Sequence, residues 1–214
     1  MSNAKINPVL RKLLIPIAYT ILTIGICISF TFAFRSFYFS TIYVDGNSMY
    51  PTLVGFRNDA DYGIVDKSEI AKKNLKRFQI VTATYPWEKD LVVIKRVLVL
   101  PGETFRFHSD GTTNKSLDIY KDGNWVNLEI PFDTVYEGCT KQYPETTLGK
   151  DEYIIAGDNW RSSSDCLSVQ KPVTYSNLIG VVREMQGRCS FDPVNHTIYD
   201  KHPYPIRFFM GVNY

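Results

Sequence analysis

The sequence predicts a mainly β protein: a single N-terminal transmembrane helix followed by an antiparallel β-sheet ectodomain with a small β-insert. Three observations carry this reading. One long uncharged apolar run stands near the N-terminus. After it come short runs rich in Val, Ile and Tyr, bounded by Gly, Pro, Asp or Asn, which is how strands read. Aromatic residues make up 14% of the chain, with 14 Tyr and 13 Phe, and such side chains suit half-buried pleated surfaces.

The apolar run is LLIPIAYTILTIGICISFTFAF, residues 13–34, and it contains no charge. About 20 apolar residues cross the hydrocarbon core as a helix. Pro16 falls in the first turn, where a missing N–H costs little. Lys5, Arg11 and Lys12 precede the run and Arg35 follows it. The positive-inside rule therefore places residues 1–12 in the cytoplasm and the ectodomain on the outer face of the bilayer. Phe37, Tyr38, Phe39 and Tyr43 read as an interfacial aromatic group. The rival reading is a cleaved secretory signal, but the run exceeds a usual h-region and no Ala-x-Ala follows it.

The ectodomain is read as two parts of one core, residues 38–104 and 151–190, around an insert at 105–150 and before a tail at 191–214. DYGIV (Asp61–Val65), FQIVTATY (Phe78–Tyr85), LVVIKRVLVL (Leu91–Leu100), EYIIAG (Glu152–Gly157) and LIGVVREM (Leu178–Met185) are the expected core strands. SEIAKKNLKR (Ser68–Arg77) alone reads as helical. The Asp-Gly pairs at 110–111 and 122–123 are hairpin signals within the insert. A formal net charge of +2 with no basic stripe gives no footprint for nucleic acid.

Few residues invite chemistry. His108, His196 and His202 stand in no motif and read as solvated loop residues, and no Cys or His pair has zinc spacing, so no metal or cofactor is expected. VDGNSMYPTL (Val44–Leu53) is either a turn or a loop that presents Ser48 as a nucleophile. A base for it is offered by LVVIKRVLVL, where Lys95 and Arg96 interrupt an apolar strand. Burial disfavours an ammonium and lowers its pKa. A neutral lysine amine accepts a serine proton, whereas arginine stays charged, so Lys95 is the candidate base. The bland alternative is an edge strand whose charges block aggregation. AGDNWRSSSDC (Ala156–Cys166) is either a polar turn or a loop whose hydroxyls orient the lysine and whose carboxylates hold the loop.

These segments, in this order behind an anchor, resemble bacterial type I signal peptidases, the serine-lysine membrane proteases. GNSMYPTL, then IKRVLVLPGE, then EYIIAGDN with Ser163 and Asp165, then LIGVVRE carry the resemblance, which covers Leu13 to about Met185. It implies an ectodomain of signal-peptidase type, with Ser48 as nucleophile and Lys95 as general base. Ser163 would orient that lysine, and Asp158 and Asp165 would support the loop. Gly46 stands where some members place an oxyanion-hole serine, so the hole would rely on backbone N–H groups, chiefly that of Ser48. The small-residue substrate pockets map to Ile42, Val44, Leu53 and Ile94, which fits cleavage after Ala-x-Ala. The implied partners are preproteins bearing signal peptides and the lipid bilayer, with secretion or conjugation machinery as a further expectation.

The chain departs from the pattern in places. Trp160 stands where Arg commonly follows GDN, Cys166-Leu167 replace Ser-Arg after Asp165, and Phe78-Gln79 replace a Gly-Asp pair. The arginine contacts around Asp165 are thereby open. A specialised maturation peptidase for a pilin or conjugation-system precursor fits these changes, as does an inactive anchored binding protein of the same fold. A soluble self-cleaving repressor relative would carry a DNA-binding domain in place of the anchor. Cys27 lies in the anchor and reads as packing; among Cys139, Cys166 and Cys189, one disulfide is expected, with no pair selected.

Overall fold

The computed structural model describes residues 8–112 and 114–208. Lys5 and the last residues of the tail lie outside the described residues. The chain divides into two units, Met1–Phe39 and Ser40–Tyr214.

The first unit is the helix α1, Pro8–Tyr38. Its apolar stretch, Leu10–Tyr38, is long and apolar enough to cross a membrane and is exposed along its length. It exceeds the predicted run at both ends. The hydroxyls of Thr20, Thr23, Thr31 and Ser36 each donate to the carbonyl four residues back. Lipid offers these groups no partner, so they are satisfied within the helix.

The chain enters the second unit along β1 (Phe39–Tyr43), and β2 (Gly55–Phe56) and β3 (Asp59–Asp66) follow. The short helix α2 (Glu69–Lys73) follows, capped by Ser68, whose hydroxyl accepts from the Ala71 N–H. It stops well short of the predicted Arg77. Beyond it the Lys76 N–H turns to the Gln79 side chain, which ends helical pairing. The strands β4 (Ile80–Tyr85) and β5 (Glu88–Val99) then form a long hairpin in which Val81 pairs with Lys95.

Four strands form a separate antiparallel sheet: β6 (Thr104–Ser109), β7 (Lys115–Lys121), β8 (Asn124–Asn127) and β9 (Gln142–Thr147), in the order β8-β7-β6-β9. Its β7–β8 turn is Asp122-Gly123, with φ of 50° and 84°. Two successive positive φ values make the primed turn that matches strand twist, which explains the Asp-Gly pair.

The chain returns to the main sheet with β10 (Glu152–Ala156), the short helix α3 (Cys166–Val169), β11 (Val173–Thr174), β12 (Leu178–Asp192) and β13 (Thr197–Phe208). The main sheet runs β1-β3-β12-β4-β5-β10-β11, with β2 on β3 and β13 on β12. Strand β5 is therefore interior, not an edge. Val181 of β12 pairs with Asp66 on one side and Val81 on the other, so this strand joins the two halves of the sheet. Where β4 leaves β12, β13 takes its place along Glu184–Asp192. The segment read as a tail is thus largely an edge strand, and an edge tolerates its Pro203 and Pro205.

The largest apolar core lies between the main sheet and the smaller one and includes Val97, Phe105, Phe107, Ile154 and Trp160. All four cysteines are free thiols, with Cys139, Cys166 and Cys189 buried, so the expected disulfide is corrected. The three buried thiols are held apart in the fold; Cys189, for example, donates to the Ala60 carbonyl.

Candidate active site

Ser48 sits in the turn between β1 and β2, and the backbone there leaves little room. Gly46 has φ of 87°, and its N–H donates to the Gly55 carbonyl at 3.0 Å. A side chain on Gly55 would strike the Gly46 carbonyl, with a Cβ only 2.1 Å from it. Two glycines thus let the strands close beneath the turn. Met49 and Leu53 are fully buried, which anchors the turn on both sides of Tyr50 and Pro51.

Lys95 comes from the middle of β5, and its Nζ donates to Ser48 Oγ at 2.7 Å and to the Ile94 carbonyl at 3.2 Å. The side chain is 4% exposed. Burial pushes its pKa down from the usual lysine range to about 8. The negative charge of Asp165 works against that fall, and the nearby ammonium of Lys141 works with it. The result is an amine that gives up its proton around pH 8, well below an ordinary lysine, while touching a serine hydroxyl. The Ser48 N–H donates to no acceptor among the described residues.

The loop after β10 clasps the Ser48 turn from the other side. The Asn159 N–H donates to the Ser48 carbonyl at 3.0 Å, and its Nδ2 donates to the Asn47 carbonyl at 3.1 Å. Gly157 is pressed so close that a Cβ there would lie 2.1 Å from the Ser48 carbonyl oxygen and 2.5 Å from Ser163 Oγ. Arg96, next to the lysine, chelates Asp158 through Nε at 2.8 Å and Nη2 at 2.5 Å. It also donates to the Phe78 carbonyl and to Thr52 Oγ1, and stacks over the Phe132 ring at 3.9 Å. One buried guanidinium therefore ties together the loop after β10, the start of β4 and the Ser48 turn.

Asp165 caps α3. Its carboxylate accepts from the Leu167 and Ser168 N–H groups, from the Gly157 N–H, and from Lys141 Nζ at 3.2 Å. Lys141 thus takes the place in which an arginine was sought. It also donates to the Ser163 carbonyl at 2.5 Å, so it fixes the loop at two points. Ser163 Oγ itself is buried with no hydrogen-bond partner among the described residues, and it makes no bond to Lys95. The orienting role expected of it is not made in this arrangement, where the Ile94 carbonyl is the second acceptor of the lysine.

The four expected pocket residues share one apolar cluster with Met49, Val65, Ile80, Val182 and Met185. Val44 and Leu53 are buried within it, whereas Ile42 and Ile94 are half-buried and packed against it. The histidines lie apart from this geometry. His108 is on β6, His202 pairs opposite Arg188, and His196 shares a hydrogen bond with Tyr43 Oη.

Sequence reading missed Lys141, Asn159, Gly157 and the bridging role of Arg96. Asn159 and Gly157 carried a signal, since both stand in the GDN segment. Lys141 carried none, because it lies 24 residues from Asp165 in a polar stretch.

Comparison with known proteins gives the family. The family model described as "Signal peptidase, peptidase S26" matches residues 17–185. Signal peptidase I P of Bacillus subtilis subsp. natto is 31% identical over 134 residues, covering 61% of this chain and 67% of that protein. Signal peptidase I V of Bacillus subtilis (strain 168) is 28% identical over 153 residues, covering 67% of this chain and 83% of that protein. A model that spans most of the chain, from within α1 to within β12, decides the matter: this protein belongs to the signal peptidase family, peptidase S26.

Proposed function

We propose that the chain is a membrane-anchored serine endopeptidase that removes signal peptides after Ala-x-Ala, using Ser48 as nucleophile and Lys95 as general base. The single observation that carries this is the 2.7 Å contact between Lys95 Nζ and Ser48 Oγ, made by a lysine buried in the sheet. Ser48 Oγ attacks the scissile carbonyl carbon as neutral Lys95 takes its proton. The carbonyl oxygen becomes an oxyanion beside the Ser48 N–H; one such donor is typically worth about 10²–10³ in rate. Collapse of the tetrahedral intermediate breaks the C–N bond, and the lysine proton passes to the leaving amine. Water, deprotonated by the same amine, then releases the acyl-enzyme. Gly46, Asp158, Ser163 and Asp165 support the two loops that hold this geometry.

Ile42 and Ile94 at the rim, over Val44 and Leu53, favour small side chains, because branched groups fill the space a larger one needs. The charge asymmetry about the apolar helix supports an N-terminus in the cytoplasm and the catalytic unit on the outer face of the bacterial cytoplasmic membrane. Preproteins arriving there are the proposed substrates.

The test is cleavage of a preprotein bearing an Ala-x-Ala site by the full chain in lipid. Wild type is expected to cut after the final alanine, and Ser48→Ala and Lys95→Ala are each expected to lose at least 10³-fold in rate. Retained cleavage in either variant would remove the dyad. Wild type that cuts only a dedicated pilin-like precursor would favour the specialised maturation peptidase.

A further inference from the structure

The family match ends at residue 185, yet the fold does not. Strand β12 runs on to Asp192 and β13 returns along it. Two side chains of that returning strand reach the neighbourhood of Ser48. Tyr204 packs its ring against the same apolar cluster as Ile42 and Ile94. Its hydroxyl donates to Asp61 Oδ1 at 2.7 Å and accepts from Arg207 Nη2 at 2.6 Å. Arg207 Nη1 donates to the Thr52 carbonyl at 3.2 Å, four residues after the serine, and Nη2 lies 3.0 Å from Asp61 Oδ1.

Asp61 is the hinge of this contact. Its carboxylate is fully buried, and Oδ2 accepts from the Val54 N–H at 2.8 Å. Its backbone carbonyl accepts from the Val44 N–H, and its own N–H donates to the Val54 carbonyl. One residue therefore holds both Val44 and the neighbour of Leu53, the two floor residues of the pocket. A buried carboxylate needs counter-charge and hydrogen bonds, and β13 supplies them in Arg207 and Tyr204. With both oxygens of Asp61 engaged, Tyr204 has little freedom to swing away from the rim.

We propose that β13 is a specificity element of this peptidase: Tyr204 forms the third wall of the substrate side-chain pocket, beside Ile42 and Ile94, and Arg207 with Asp61 fixes that wall. This rests on the endopeptidase reading above. A planar ring locked at the rim limits depth and width together, so alanine-sized residues enter and branched or longer ones meet the phenol. The ring is the part that selects; the hydroxyl is the part that holds it. The selectivity of the chain would then depend on a strand beyond the portion it shares with the family model.

The experiment uses the full chain in lipid and a series of preproteins whose cleavage-site residue is alanine, valine or leucine. Rates are read as the alanine-to-leucine and alanine-to-valine ratios of kcat/KM. Tyr204→Ala is expected to lower the alanine-to-leucine ratio about tenfold or more, chiefly through a lower KM for the leucine substrate. Tyr204→Trp is expected to move the alanine-to-valine ratio the opposite way. A purely structural role for Tyr204 would depress all substrates alike, and unchanged ratios in both variants would overturn the proposal. If Tyr204→Ala fails to fold, the tryptophan variant decides alone. Wild type that cleaves none of the series overturns the general Ala-x-Ala reading and this inference with it, whereas wild type that cleaves while both variants leave the ratios unmoved overturns only the inference.

Discussion

Lys95 is expensive to bury and useful because of it. Its pKa of about 8, against a usual value of 10.5, means that below pH 8 the folded protein holds a charged amine in a desolvated place. The lowered pKa corresponds to a cost on the order of 3 kcal/mol. The sign follows from proton counting. Between pH 8 and 10.5 the unfolded chain binds more protons here than the folded one, so this group makes stability rise with pH across that window. Lys95→Met, which keeps the stem and removes the charge, should therefore abolish cleavage yet raise stability at pH 7 by about 1–3 kcal/mol. Denaturant unfolding at pH 7 and pH 10 checks this, since the gain should shrink at the higher pH. The same titration predicts that kcat/KM of the wild type climbs with pH and levels off above about 8. Gly157 makes the opposite case, a residue needed for what it lacks. A methyl there would meet the Ser48 carbonyl at 2.1 Å, so Gly157→Ala must displace the Ser48 turn. A shift of about 1 Å is worth roughly 10²-fold in rate, and a comparable fall in kcat is expected with the overall fold kept, as circular dichroism would report.

At the scale of elements, the site is an agreement between three segments, and Arg96 is where they meet. The pair with Asp158 is buried on both sides, and breaking such a pair strands a charge, at a cost of about 3–5 kcal/mol. Asp158→Ala is expected to lower stability by that amount, measured by denaturant unfolding. The double variant Arg96→Met with Asp158→Leu should recover much of it, because both charges go together. What the sequence made legible follows this division. The long β5 and β12, the β3 and β10 runs and the apolar helix were readable because each contains a run rich in Val, Ile, Leu or Tyr, or in the helix a long uncharged stretch. The Ser48 turn and Lys95 were readable because a glycine-bounded serine and a lysine in an apolar strand are both anomalies. Strand β13 was not, since Pro203 and Pro205 argue against a strand until its edge position is known. Nor was Lys141, whose meaning comes only from folding the smaller sheet back onto the loop after β10. The disulfide expectation failed for a related reason. Cysteine counts and compartment speak of opportunity, while burial among apolar neighbours decides which thiols meet.

For the molecule as a whole, the proposed orientation of the apolar helix is directly testable. Protease added to the outside of spheroplasts is expected to degrade the chain after Arg35, while inverted vesicles protect it. The reverse pattern would place the ectodomain in the cytoplasm.

The order of the main sheet has a consequence in time. The Ser48 turn belongs to the half built from β1 and β3, and Lys95 belongs to the half built from β4, β5 and β10. Only β12, near the end of the chain, lies between β3 and β4 and joins the two halves. Contacts so distant in sequence form late in folding. A chain made only as far as β10 therefore carries Ser48 and Lys95 without the strand that brings them together. On the proposed mechanism the dyad is complete only once β12 has paired with both β3 and β4, so activity waits on nearly the whole chain.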